Sequence, residues 1–172
     1  PREVQTVPFA SAGTPADKHQ IETINHLTYI AKTPSLWDDH FQVNDTLNGS
    51  SVSTTPIGTK AQPFTGSFDG QLYPITNLTI SSSDEFSGLF GVVGDSVSIN
   101  RVALSSISVS GSGAVGAIAG YLGQGSSIEE SYAQGTVSSS GHLAGGLVGR
   151  ANDADIKHSY AKVSVQAVDS VG

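Results

Sequence analysis

The chain has 172 residues, of which 13% are charged, and a net charge of −7. That length supports one domain with a real core, and so sparse and acidic a surface argues against nucleic acid or an anionic membrane as partner. Cys and Met are both absent, which removes disulfides and thiolate metal sites and fits an exported bacterial protein.

The 20 glycines are interleaved with Val, Ile and Leu, a mixture that reads as short strands and tight turns rather than as a flexible linker. No apolar run approaches the roughly 20 residues that span a bilayer, so no direct membrane insertion is expected. A chain that starts at Pro1 without an initiator Met reads as a processed or excised piece.

Residues 1–58 read as an entry segment that caps the body of the chain. In "HQIETINHLTYIAKTPSL", Ile24, Leu27 and Ile30 fall at helical spacing, with Thr23 as N-cap and Pro34 just beyond the end. Ile21 belongs to a strand leading into that helix. "SLWDDHF" holds the single Trp beside two carboxylates and a His, so Trp37, Asp38, Asp39 and His40 are candidate ligand-binding residues. An indole stacks on a sugar face, but the preferred role for Trp37 is to fill the junction between helix and body. Asn44 to Gly58 reads as a polar loop, and Asp69-Gly70 as a tight turn between strands around Phe64/Phe68 and Tyr73–Ile80.

"SVSGSGAVGAIAG" carries Gly111, Gly113 and Gly116 in the spacing of a dinucleotide-binding turn, with Glu129 standing near where a ribose-binding carboxylate belongs. Internal repetition removes that reading. "GLFG" at Gly88–Gly91, "AIAG" at Ala117–Gly120 and "GLVG" at Gly146–Gly149 recur at a constant interval of 29. Ile99, Ile128 and Ile156, then Val109, Val137 and Val165, recur at 28 or 29, as does "SYA". One repeat on from Gly111, Gly113 and Gly116 stand Ser140, His142 and Gly145, so only the last glycine is kept. The glycines are turn residues, and no nicotinamide, flavin or other cofactor is expected.

A 28- to 29-residue unit that alternates apolar residues at period two cannot bury them alone, so neighbouring units must stack. Residues 59–172 are therefore expected to form an all-β parallel β-solenoid with about three short strands per coil. Its core columns are Leu89–Ile118–Leu147, Ile99–Ile128–Ile156 and Val109–Val137–Val165, with Gly88, Ala117 and Gly146 letting the backbone turn or approach closely and Gly91, Gly120 and Gly149 completing the repeat core. A β-sandwich is the alternative. Leu147→Asp should then bury an unpaired charge and destabilise severely.

The same residues resemble a known family. The tetrads, the following "SYA" and "PFTGSFDGQLYPITNLTI" at Pro63–Ile80 are similar to GLUG-motif repeats of bacterial surface adhesins, filamentous-haemagglutinin-like proteins and some immunoglobulin A proteases. The resemblance runs from about His19 to the C-terminus; the middle copy departs, with Ala117 and Ala119. It implies a non-catalytic module of a larger cell-surface or secreted protein, adhesive or structural, whose partners would be glycans, surface proteins and further repeats of its own chain.

Other chemistry is thin. "SYAK" at Ser159–Lys162 has the spacing of a serine acyl-enzyme, but its repeat equivalent is Ser131 with Gln134. His19, His26, His40, His142 and His158 lack metal-ligand spacing, and Asp153/Asp155 lack the rest of a calcium loop. A carbohydrate-active β-helix enzyme would need carboxylates clustered on one face. An ice-binding solenoid would need flat outward ranks of Thr, and the Ser-rich "NLTISSS" and "GTVSSSG" are not expected to align. Val171-Gly172 matches Val115-Gly116, so another coil is expected to follow, and a fragment ending there should associate weakly through that end.

Overall fold

The computed structural model describes residues 8–168. Backbone pairing is parallel throughout these residues, and apart from β1 with β2, joined through the helix, each strand pairs with one a coil away rather than with its neighbour in sequence. A chain that forms no hairpin and returns to the same sheet with a period of 28 or 29 is a β-solenoid.

The first coils are short. Strand β1 (His19–Ile21) leads into helix α1 (Ile24–Ala31), where the Thr23 hydroxyl accepts the His26 N–H. A 3₁₀ turn over Pro34–Leu36 then delivers β2 (His40–Val43), β3 (Leu47–Asn48) and β4 (Ser53–Thr54). The second coil holds β5 (Ser67–Asp69), β6 (Pro74–Thr76), β7 (Thr79–Ser81) and β8 (Phe86–Ser87). The third comprises β9 (Phe90–Val93), β10 (Ser98–Asn100), β11 (Ala103–Gly111) and β12 (Ala114–Gly116). The fourth comprises β13 (Ala119–Leu122), β14 (Ser127–Glu129), β15 (Tyr132–Ser139) and β16 (Leu143–Gly145). The last described coil has β17 (Val148–Ala151), β18 (Asp155–Lys157) and β19 (Tyr160–Ala167).

Four strands per full coil, not three, build four sheets among the described residues: β1-β2-β5-β10-β14-β18, a seven-stranded sheet around β11 and β15, β8-β12-β16 and β9-β13-β17. Two local expectations change with this arrangement. Asn44–Gly58 is not simply a loop, since β3 pairs β6, β4 pairs β7 and Ile57 bridges Phe90. Sheet pairing therefore begins before position 58. The Asp69-Gly70 turn is a corner between two sheets rather than a hairpin, and Tyr73–Ile80 divides into β6 and β7 at Asn77, whose φ is 56°.

The columns stand where the period put them. Ile99, Ile128 and Ile156 are register partners, as are Val109, Val137 and Val165. The isoleucine column continues backwards through Phe68 and Phe41 to His19. Aromatic rings fill the core of the first coils, with Phe64 and Phe90 centroids 4.9 Å apart, and Leu27 and Ile30 of α1 close that end. Gly91, Gly120 and Gly149 form a column with no room for a side chain: a Cβ on Gly120 would lie 2.5 Å from the Ser87 nitrogen.

The drift between 28 and 29 has a structural origin. Leu104 pairs with Ala133 but Ile107 with Gly135, so Ser105 and Ser106 of β11 face one residue of β15. This bulge puts Ser106 at φ 54°, and Gly135 opposite it at 144°. The corners also stack. Arg101, Glu130 and His158 take φ of 51°, 50° and 49°, all in the left-handed region, to turn the chain from one sheet to the next.

Buried corner groups are satisfied by serines. The Ser131 hydroxyl accepts the Val102 N–H at 3.0 Å and donates to the Glu129 carbonyl at 2.8 Å; Ser159 does the same for the Ser131 N–H and the Lys157 carbonyl. That is the occupation of the "SYAK" serine, and no hydrogen bond joins it to Lys162. No buried side-chain polar atom lacks a partner among the described residues.

Burial falls away in the last described coil. Leu89, Ile118, Ile128 and Val137 are buried, but Leu147 is only half-buried, and Ile156 and Val165 are 43% and 44% exposed. Leu147 packs against the core but is half-buried among the described residues, so burial there supports a smaller effect for Leu147→Asp than the severe one expected. Val171-Gly172, on which the expectation of a further coil and of end-to-end association rests, lies outside the described residues.

Two substitution pairs test this register. Ile128→Asp is expected to cost several kcal/mol in chemical denaturation, whereas Ile156→Asp, one coil on, should cost about 1 kcal/mol or less. Glu130→Gly relieves a left-handed non-glycine corner and should stabilise by up to about 1 kcal/mol. Glu129→Gly, inside β14, should instead destabilise by about that amount; equal effects at 129 and 130 would contradict the corner.

Candidate ligand-binding surfaces

Trp37 is 4% exposed, and its indole N–H donates to the Ile30 carbonyl at 2.8 Å. Its own carbonyl accepts the Thr65 and Gly66 N–H groups. The ring seals the junction between α1 and the first coils and offers no face for a sugar, so Trp37 is corrected as a ligand candidate. Asp39 is half-buried, and His40 stands half-buried on the outward side of β2, its Nδ1 2.7 Å from the hydroxyl of its register partner Ser67. Asp38 is exposed, without the aromatic platform that made it a candidate.

Asp39 belongs to a different cluster. His19 is 4% exposed, with Nε2 2.9 Å from Asp39 Oδ2 and Nδ1 2.9 Å from the Ser11 hydroxyl. A carboxylate only accepts, so Nε2 donates to Asp39. The ring stacks on Phe9 at 4.6 Å. Gly13 closes over it at φ 70°, where a Cβ would lie 2.5 Å from Nε2. The group latches the Phe9–Gly13 segment onto the first coil and leaves the histidine little room to act on anything else.

Two outward faces present repeated chemistry. On the seven-stranded sheet Ser53, Thr79, Ser108, Thr136 and Ser164 are successive register partners and all are exposed. Ser81, Ser110 and Ser138 form a second rank. The hydroxyls do align, contrary to expectation, because the bulge at Ser105–Ser106 absorbs the one-residue change of period. On the six-stranded sheet the outward rank is Gln42, Asp69, Asn100, Glu129 and Lys157. Asp69 is engaged by Arg101, whose guanidinium is held above its ordinary range by that hydrogen bond and by the aspartate charge. The two carboxylates, separated by Asn100 and one of them paired, do not make the free couple that glycoside hydrolysis requires. Among the described residues no group of three His, Asp or Glu is placed to hold a metal ion.

A concavity lies on the two three-stranded sheets. Three adjoining hollows, of about 400, 380 and 270 Å³, share Glu85 and Phe86. Val92, Tyr121 and Arg150 are register partners across β9, β13 and β17, and Phe86, Ala114 and Leu143 across β8, β12 and β16. The Ala114 methyl, set between Phe86 and Leu143, leaves a notch one coil deep. Phe86 and Tyr121 centroids are 5.3 Å apart with planes at 57°. Inward periodicity does not reveal this cleft. The signal it left in the sequence is the residue directly after each tetrad, the outward position 92/121/150, which a count of inward columns passes over.

Fold and surfaces together define a parallel β-solenoid of tandem repeats. Residues 111–138 and 140–166 match the family model described as the GLUG motif, and this part of the chain is a GLUG-repeat region. The chain is 32% identical over 158 residues to halomucin of Haloquadratum walsbyi, a match that covers 86% of this chain and 2% of that protein. It thus spans a small fraction of the relative's length. A solved Bacteroides ovatus structure, described as "a putative immunoglobulin A1 protease", covers 92% of this chain and 70% of its own, with a TM-score of 0.44 and 18% identity.

The latch is tested by limited proteolysis. Gly13→Ala and His19→Ala are each expected to release the Phe9–Gly13 segment to rapid cleavage while the coils persist by circular dichroism. Unchanged cleavage in both would show that the segment is held by other contacts.

Proposed function

We propose that the chain is a non-catalytic module of a larger surface or secreted protein, in which stacked coils display binding faces or space other domains. The observation that carries this reading is the unbroken parallel register from β2 to β18. It stacks the inward columns on one another and repeats each outward position at the inter-strand spacing of about 4.8 Å. Such a surface suits a repeating partner, a glycan chain or a repetitive surface protein. The GLUG repeats and the similarity to halomucin support the same setting. No helix among the described residues is long and apolar enough to cross a membrane.

A second reading, ordered-water or ice binding, is favoured only by the aligned hydroxyl ranks. Just two of the five residues in the longer rank are Thr, so the methyl groups that would order water beside the hydroxyls are sparse. A panel of glycans and surface proteins offered to the chain should give saturable binding without product. Turnover of any polysaccharide would overturn the non-catalytic reading, and thermal hysteresis at low temperature would move the assignment to ice.

A further inference from the structure

We propose that the cleft over β8, β9, β13 and β17 binds a carboxylate-bearing sugar, with Arg150 holding the carboxylate and Phe86 and Tyr121 lying against the sugar rings. This rests on the ligand-display reading above and names the site and the ligand class for it.

Charge gives the first argument. The chain carries −7 overall, yet in the two hollows that Arg150 lines, the acid is Glu85, and the other acid of the cleft, Asp84, lines only the adjoining hollow beside Lys60. Glu85 is already matched by Lys60, with Nζ 3.0 Å from Oε2. The exposed Arg150 guanidinium makes no hydrogen bond or ion pair with any described residue. A rigid planar donor left open beside a neutralised pair selects a planar anion, and a carboxylate meets it with two parallel hydrogen bonds.

Shape gives the second. The Phe86 and Tyr121 rings are tilted rather than stacked, so neither covers the other, and both are half-buried and therefore held in place. Aromatic faces receive the apolar face of a pyranose ring. Thr59 and Ser112 stand at the two ends of the linked hollows and offer hydroxyl partners. A small inorganic anion would satisfy Arg150 and leave the rings bare. A neutral sugar would use the rings and leave the cation without a partner. A sugar acid uses both, and its repeated rings suit the linked hollows.

The test is calorimetric titration of the chain with oligogalacturonate and, in parallel, with a neutral malto-oligosaccharide of equal length. Oligogalacturonate should bind saturably and more tightly than the neutral chain. Arg150→Gln should weaken it about tenfold or more, with an unchanged melting curve because the side chain is exposed. Tyr121→Leu keeps apolar bulk but removes the ring and should weaken both ligands. Lys32→Gln removes the same charge beside α1 at the opposite end of the stack and should change nothing. No saturable binding of oligogalacturonate, equal affinity for the neutral chain, or indifference to Arg150→Gln would each overturn the proposal. A ligand from the wider panel that ignores Arg150→Gln would overturn this cleft as the display site while the module reading stands. Cleavage of oligogalacturonate that depends on Arg150 would support the site and overturn the non-catalytic reading instead.

Discussion

Every feature of this molecule depends on the backbone ladder between coils. Each strand donates and accepts along its length to the strand one coil away, so the chain must return to the same place with each repeat. That condition fixes which side chains stack, and stacking like on like lets isoleucine cover isoleucine and valine cover valine without a precise three-dimensional jigsaw. The core is thus quasi-one-dimensional: each coil is stabilised chiefly by its two neighbours.

Corners are where such a ladder is costly. A parallel coil must turn sharply at fixed places, and there the chain adopts left-handed φ at ordinary residues: Arg101, Glu130 and His158 in one column, Ser96 and Asp153 around Gly125 in another. Turning also strips backbone N–H groups of their ladder partners. Ser126, Ser131 and Ser159 supply a hydroxyl that accepts from one coil and donates to a carbonyl. The abundance of serine, which in another chain would suggest flexibility, here serves satisfaction of buried polar groups.

Because the interior is committed to stacking, function is left to the outside. The outward positions repeat with the coil but are free to differ, and they do. Hydroxyls run in ranks on the seven-stranded sheet, a mixed polar rank crosses the six-stranded one, and Val92, Tyr121 and Arg150 change character completely within a single rank. A module of this kind acquires a binding surface by varying outward residues coil by coil while the inward ones keep the register.

The sequence by itself determined the repeat, the inward columns Ile99–Ile128–Ile156 and Val109–Val137–Val165, the all-β parallel class and the Thr23-capped helix. These follow from local periodicity and from the rule that like residues stack. It did not show the fourth strand of each coil, because β8, β12 and β16 are very short and merge with the glycine tetrads. It did not show the alignment of hydroxyls across the Ser105–Ser106 bulge, because a bulge changes register without changing composition. The preferred reading of Trp37 as a junction filler holds, and the tertiary structure adds what packs on it, Ile30 and the first coils. Only the tertiary structure brought Lys60, Glu85, Phe86, Tyr121 and Arg150 to one cleft. They come from successive coils, and nothing but the parallel ladder makes residues so distant in the chain neighbours in space.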